Sequence, residues 1–205
     1  MKSLLLATVI FIGLLGSRAG HAASQPSANP ISFTCPVTGT ISVIQTEDGK
    51  RHRTEWLGSA SDDPDMCLLK PYKNGQPGET IGRIFGRWPA KYTRTTADEA
   101  ATFRSAMDGF MRHHASMAQF ILRGRTGEQT VQIWTLDGEE TLKIGDDTVR
   151  AVKIHVNYIY SGSTIMYWTN LWFDPEHNLF VKSEGSLERS RSYTWSMVKI
   201  QSQGG

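Results

Sequence analysis

The chain has 205 residues, of which 39% are hydrophobic and 10% aromatic. This length supports one domain with a sizeable core and is short for two. Its 22 basic and 20 acidic residues nearly cancel. This neutral balance argues against nucleic acid as a partner, because phosphate binding needs a clustered surplus of Lys and Arg.

Residues 1–23 have the three parts of a secretory signal peptide. Lys2 is followed by an uncharged, apolar run from Leu4 to Leu15, and small residues then lead to Ala22, a position that a signal peptidase prefers. The apolar run is too short to span a bilayer as a mature helix, and no later segment is long and apolar enough to do so. The sequence therefore predicts a periplasmic or secreted protein that is not embedded in the membrane.

The next segment, residues 24–30, is polar and is predicted to be a flexible leader to a single globular domain, residues 31–205. The first part of that domain, residues 31–93, contains many Gly and Pro residues and only short strand-like runs, which predicts irregular β structure. It also contains both cysteines of the chain, Cys35 and Cys67. In an oxidising compartment these are expected to form one structural disulfide that holds this part together.

One long helix is predicted over residues 96–122. Thr96 and Glu99 match a capping box, in which each side chain accepts a backbone N–H of the other residue. An apolar stripe follows with alternating spacings of four and three, which places its members on one helical face. The members of this stripe are Phe103, Met107, Phe110, His114, Met117 and Ile121. His114 is therefore expected in the core, while His113 diverges from it, so the histidine pair does not predict a metal site.

From residue 129 to residue 200 the pattern changes to alternation with a period of two, which predicts strands. Val152 to Tyr160 is the clearest of these strands, and Asp174-Pro175 begins a turn between two later ones. Short connections between alternating strands predict an antiparallel meander. The predicted fold class is α+β and mainly β: a twisted antiparallel sheet, forming an open half-barrel, with one long helix across it.

The segment from Trp172 to Glu184, W-F-D-P-E-H-N-L-F-V-K-S-E, resembles a hairpin of bacterial periplasmic proteins of the DUF3108 type. In those proteins an aromatic strand ends in Asp-Pro, turns, and returns with a Val-Lys-x-Glu strand. The resemblance extends over residues 129–200 at most, and the family is similar in architecture to the open half-barrels of the lipoprotein carriers LolA and LolB. It implies a periplasmic location and no catalytic residue.

Aromatic residues on both faces of one predicted strand are the main candidate for a binding site. Tyr167 and Phe173 have one parity along this strand, and Trp168 and Trp172 have the other. The helix covers one face of the sheet, so the second face is expected to expose aromatic side chains, which usually marks a ligand groove or a partner surface. The alternative is an aromatic-rich core.

These observations predict an exported binding module for a hydrophobic small molecule or an envelope protein, with no cofactor and no metal. The sequence has no nucleophile elbow, nucleotide-binding loop or H-E-x-x-H motif. The polar residues Asp174, Glu176 and His177 are predicted to form a solvated turn. Two alternatives are an extracytoplasmic hydrolase with a dispersed active site, for which His155 is a test position, and a structural component of an envelope complex.

Overall fold

The computed structural model of the chain describes residues 30–89, 95–124, 127–160, 166–187 and 191–202. The predicted signal peptide, residues 1–23, and residues 24–29 of the predicted leader lie outside the described residues. The described elements, in chain order, are β1 (Ile41–Thr46), β2 (Arg51–Ser59), β3 (Met66–Lys73), β4 (Gln76–Pro77), β5 (Ile81–Ile84), β6 (Trp88–Pro89), α1 (Ala97–Arg112), β7 (Met117–Arg123), β8 (Gln129–Ile144), β9 (Asp147–Tyr160), β10 (Met166–Asp174), β11 (Leu179–Leu187) and β12 (Arg191–Gln201).

The strands form one large antiparallel sheet. Its strand order is β6-β5-β3-β2-β1-β12-β11-β10-β9-β8-β7, and the short strand β4 pairs with β3 beside this path. Among the described residues, β6 and β7 at the two ends of the path are not hydrogen-bonded to each other, so the sheet is open. The structure confirms a mainly β fold with one described helix and is consistent with an open half-barrel.

The predicted antiparallel meander is confirmed as the run from β8 to β12, in which each strand pairs with the next. Strand β8 is one element of 16 residues. The register with β9 shifts between Leu136 and Glu139, and Gly138 has a φ of 97° in this interval. A glycine at a β-bulge bends a strand without ending it, which explains why the sequence pattern was interrupted there.

The N-terminal part of the domain is more regular than the sequence predicted. Residues 31–93 were expected to form irregular β structure, but six strands lie within this range and join the main sheet. Strands β1 and β2 are connected through Asp48 and Gly49, and Gly49 has a φ of 79°, as a tight turn requires. Strand β1 then pairs with β12, which places the N-terminal strands directly beside the meander.

Helix α1 begins as predicted but ends ten residues earlier than predicted, at Arg112. The capping box is present: the Thr96 hydroxyl accepts from the Glu99 N–H at 3.2 Å, and the Glu99 carboxylate accepts from the Thr96 N–H at 2.9 Å. The helix stops because His114 adopts a left-handed conformation, with a φ of 59°, as is common at helix ends. His114 is exposed, so its predicted place in the core is wrong.

The second half of the predicted helix is strand β7. Its buried residues alternate, with Ala118, Phe120 and Leu122 facing inward. Met117 and Ile121, which continued the helical stripe in the sequence, are 54% and 37% exposed. The segment satisfies both a helical and a strand period over a short length, and pairing with β8 decides in favour of the strand.

Helix α1 lies between the two ends of the sheet. Phe103 on α1 packs against Trp88 of β6 and Phe120 of β7, with ring centroids 5.1 Å and 4.9 Å away. Trp88 and Phe120 also contact each other at 6.1 Å. We call this cluster of Trp88, Phe103 and Phe120 the seam. Because the strands at the seam are not paired, side-chain packing with the helix takes the place of the missing ladder of hydrogen bonds.

Ion pairs fix both ends of α1. In the middle of the helix Arg104 binds Asp63 at 2.7 Å, and Arg104 shares Asp65 with Arg112 at the C-terminal end, at 3.1 Å and 2.5 Å. The hydrogen bond from Arg104 lowers the pKa of the Asp63 carboxyl. At the N-terminal end, Glu99 binds Arg123 at the end of β7 at 2.8 Å. These contacts tie the helix to the 61–65 loop on one side and to β7 on the other.

The predicted disulfide between Cys35 and Cys67 is present. Both cysteines are buried, and the bond links β3 to the segment that precedes β1. That segment also contacts the helix, because the Phe33 N–H donates to the Met111 carbonyl at 2.8 Å. The disulfide therefore holds a piece of chain that packs under the C-terminal end of α1.

The helix in the described part of the chain is neither long nor apolar enough to cross a membrane.

Removing the disulfide is expected to lower the free energy of unfolding by about 3 to 4 kcal/mol, because it closes a loop of roughly 33 residues in the unfolded chain. Urea unfolding of the double variant Cys35→Ala/Cys67→Ala, and of the wild type with and without reductant, measures this change. Unfolding midpoints that do not move on reduction would show that the bond contributes nothing to stability.

The ion pair at the start of α1 predicts a loss of stability in acid. Hydrogen bonding from Arg123 lowers the pKa of the Glu99 carboxyl from 4.5 to about 2. A carboxyl whose pKa is lower in the folded state than in the unfolded state stabilises the protein at pH values above its unfolded-state pKa. This stabilisation is lost as the pH falls through the folded-state pKa. The Tm advantage of wild type over Glu99→Gln should therefore shrink between pH 4.5 and about pH 2.

The exposed variant Glu79→Gln is the matched control and should keep the same Tm difference from wild type across this range. A constant difference between wild type and Glu99→Gln would contradict the assignment of this pH dependence to Glu99.

Candidate functional site

The four aromatic residues predicted as a site lie on two different faces of β10. We call the face that packs against α1 the inner face, and the opposite face the outer face. Tyr167 and Phe173 are on the inner face, and Trp168 and Trp172 are on the outer face, as their parity predicted. Trp172 and Phe173 are both buried although they point to opposite faces. The four residues therefore do not form one exposed patch.

Trp172 is covered on the outer face by long polar side chains. Its cross-strand neighbours are Lys153 and Lys182, whose ammonium groups lie 5.7 Å and 4.1 Å from the indole ring centre. The indole N–H donates to the Glu140 carboxylate at 2.8 Å. Only 2% of Trp172 is exposed. These cation–π contacts and the hydrogen bond give the tryptophan a structural role in the sheet.

Trp168 is the exposed member of the set, with 39% of its surface accessible. Its ring stacks on His155, with centroids 6.3 Å apart and planes 22° from parallel. The two ring nitrogens of His155 lie 2.8 Å from the Asn170 amide oxygen and 3.3 Å from that of Asn157. One exposed tryptophan surrounded by amides is a small surface feature, and contact between Trp168 and a partner stays a prediction.

On the inner face, Phe173 belongs to the core and Tyr167 borders a cavity. Phe173 packs between Phe33 and Phe180, with ring centroids 6.0 Å and 5.3 Å away. Tyr167 packs edge-on against Tyr160 at 5.2 Å and lines an open cavity of about 280 Å³. Of the four predicted residues, Tyr167 is the one that the structure places at a cavity.

This cavity adjoins a larger one, of about 370 Å³, between the N-terminal strands and the end of the meander. Arg87 and Trp195 line both, and we call the two cavities together the inner groove. The apolar residues of the larger cavity come from six strands and one turn. They include Ile44, Trp56, Leu69, Ile81, Leu179, Phe180 and Met197. Open cavities of a few hundred Å³ with mostly apolar walls are the usual form of small-molecule sites.

The groove exists because α1 covers only part of the inner face. Helix α1 fills the space near β7 and β6, and its buried residues end at Phe110 and Met111. The strands β1, β2, β11 and β12 lie in the middle of the sheet path and contribute the wall that the helix does not reach. This wall was not predicted from the sequence, because its residues were assigned to irregular structure and to separate strands.

Arg87 is the most unusual residue of the inner groove. It lies in the turn between β5 and β6, and its guanidinium carbon is 5.7 Å from the Phe180 ring centre and 6.0 Å from the Trp134 and Trp88 ring centres. The sequence reasoning missed it. The available signal was the segment I-G-R-I-F-G-R-W, in which Arg83 and Arg87 alternate with apolar residues that are typical of a buried strand.

The hairpin turn between β10 and β11 is less solvated than the sequence predicted. Asp174 is 1% exposed and accepts backbone N–H groups of Glu176 and His177 at 2.9 Å and 3.3 Å. Its second carboxylate oxygen lies 2.6 Å from the His177 ring nitrogen Nδ1. These contacts are those of a side chain that closes its own turn. The described residues contain no group of three or more His, Cys, Asp or Glu able to hold a metal ion.

The fold and the groove together define an open antiparallel sheet with two adjoining open cavities on its inner face. No family model matches the chain, and no curated protein matches it. Among solved structures, the hypothetical lipoprotein YmcC from Escherichia coli (K12) is similar, with 12% identity and a TM-score of 0.46, over 85% of this chain and 90% of that chain.

Two further solved structures show a comparable degree of similarity. A protein from Bacteroides fragilis, named as an exported protein with a YmcC-like fold, has 11% identity and a TM-score of 0.40, over 83% of this chain and 99% of that chain. A protein from Parabacteroides distasonis, named as a lipoprotein, has 9% identity and a TM-score of 0.40, over the same shares. None of the three is named as a DUF3108 protein, so the resemblance of residues 129–200 to that family stays a prediction.

The two tryptophans of the outer face are expected to differ in their effect on stability. Trp172→Ala removes a buried ring, so it should lower the free energy of unfolding by about 3 kcal/mol or more. Trp168→Ala, at an exposed position of the same strand, should lower it by about 1 kcal/mol. Chemical unfolding of both variants tests this, and equal effects would show that the outer face does not bury Trp172 as described.

Proposed function

We propose that the protein is an exported binding module whose inner groove takes a hydrophobic ligand. The observation that carries this proposal is the inner groove itself: two adjoining open cavities of about 280 and 370 Å³ on a sheet face that the helix leaves uncovered. Aromatic and aliphatic side chains line most of it, as in small-molecule sites. The signal-peptide pattern of residues 1–23 supports export, and the resemblance to periplasmic proteins agrees with it.

A hydrolase receives no support from the described geometry around His155. A general base needs a nucleophile within hydrogen-bond reach and a group that orients its ring. The His155 ring nitrogens instead contact the amide oxygens of Asn170 and Asn157. A structural component of an envelope complex would bind through the outside of the sheet, and it predicts a fixed protein partner and no requirement for an open groove.

Native mass spectrometry of the protein, purified gently from the periplasm, is the direct test. Extra mass that leaves on denaturation and extracts as an apolar molecule would support the proposal and give the class of the cargo. A bare protein mass from such a preparation, together with crosslinks to one protein, would favour the envelope-complex alternative.

Filling the groove is expected to weaken binding of an apolar probe. Thr54 lines the larger cavity and is half-buried, so Thr54→Trp should place a large ring inside it. Fluorescence titration with the neutral probe 1-N-phenylnaphthylamine should show about tenfold weaker binding than wild type. Thr141→Trp, on an exposed part of β8, is the matched control and should bind like wild type. Equal weakening by both variants would place the probe outside the groove.

A further inference from the structure

The charges inside the inner groove are all of one sign. Among the described residues that line its two cavities are Arg83 and Arg87, and there is no Asp or Glu. Arg83 and Arg87 are half-buried, and a purely apolar ligand in the groove would remove more of their surface from water. This removal costs free energy unless an opposite charge or a good acceptor compensates. The groove therefore contains a charge that its own walls do not match.

Most other arginines of the described structure bind a carboxylate; the exceptions, Arg51 and Arg53 on the exposed end of β2, contact the Gln45 amide oxygen and the Tyr72 ring. Arg104, Arg112, Arg123 and Arg150 each bind at least one carboxylate. In the described part of the chain, no carboxylate forms an ion pair with Arg83 or Arg87, and no residue accepts a hydrogen bond from either guanidinium. Three aromatic rings surround Arg87 and stabilise its charge, but ring faces do not use its planar N–H donors.

An arginine whose N–H donors have no acceptor in the protein is suited to bind an anionic group of a ligand. Its guanidinium presents donors in a fixed fork that matches a carboxylate or a phosphate, and it gives up its hydration more readily than a lysine does. Arg87 lines both cavities of the groove, so an anion bound to it lies at their junction. From there the apolar walls of the larger cavity extend past Leu179 and Met197.

On the basis of the proposed function, we propose that the ligand of the inner groove is an anionic amphiphile. Arg87, with Arg83 beside it in the larger cavity, binds the carboxylate or phosphate head, and the apolar walls hold the alkyl chain. A cationic head would be repelled by both guanidinium groups, and a neutral head would accept hydrogen bonds from them without balancing their charge. The groove thus selects the head by charge and the chain by its apolar surface.

Isothermal titration calorimetry of the purified protein with four probes tests this, each below its micelle concentration: dodecanoate, dodecyl phosphate, dodecanol and inorganic phosphate. The two alkyl anions are expected to bind about tenfold more tightly than dodecanol, because each gains charge-assisted hydrogen bonds. Inorganic phosphate alone is expected to bind far more weakly than dodecyl phosphate. Arg87→Gln should bring the anions to the affinity of dodecanol and leave dodecanol unchanged.

Three variants keep the test specific to the groove. Arg150→Gln removes an exposed arginine of β9 and should bind all probes like wild type. Arg87→Lys keeps the charge but loses the fork, so its affinity for the anions should lie between those of wild type and Arg87→Gln. If circular dichroism shows that Arg87→Gln is unfolded, Arg83→Gln takes its place with the same expectation.

The possible failures are distinguishable. If dodecanol binds wild type as tightly as the anions do, the selection by charge is wrong and the apolar groove stands. If inorganic phosphate binds as tightly as dodecyl phosphate, the site takes a free anion and the amphiphile is wrong. If none of the three alkyl probes binds, the proposed function fails together with this inference.

Discussion

The packing of α1 between the two unpaired ends of the sheet is the interaction on which the rest of the structure depends. A sheet of this length has two edge strands, and exposed edges invite pairing with other chains. Here Phe103 joins Trp88 and Phe120 across the gap, and each such aromatic pair contributes roughly 0.5 to 1.5 kcal/mol beyond its buried area. The helix has 16 residues and is therefore about 24 Å long. A helix of this length holds the ends together but leaves the middle of the inner face open, and that opening is the groove.

Much of the fold followed from local patterns whose physical cause is short-range. The capping box at Thr96 and Glu99 and the meander from β8 to β12 each depend on neighbouring residues or on alternation. The end of the helix did not follow, because residues 117–123 fit two periods and their pairing with β8 decides between them. The regularity of the N-terminal β structure did not follow either, because its short strand-like runs between Gly and Pro become regular strands when β12 offers an edge to pair with.

The candidate site was harder to predict than the fold, because it depends on which side chains cover which. Parity correctly separated Trp168 and Trp172 from Tyr167 and Phe173. It gave no information on Lys153 and Lys182, which cover Trp172 from the two neighbouring strands. Arg87 was missed because its significance comes from three rings contributed by β6, β8 and β11. A sequence shows the charge of such a residue but not the absence of a carboxylate beside it.

The position of β12 has a consequence for how the chain folds. It is the last described strand in the sequence, yet it lies in the interior of the sheet, with β11 on one side and β1 on the other. In the described sheet, β12 is the strand that hydrogen-bonds the side formed by β1 to β6 to the side formed by β7 to β11. The hydrogen bonds that link the two sides of the sheet therefore form only when β12 is available. Pairings between strands so far apart in sequence make folding slow.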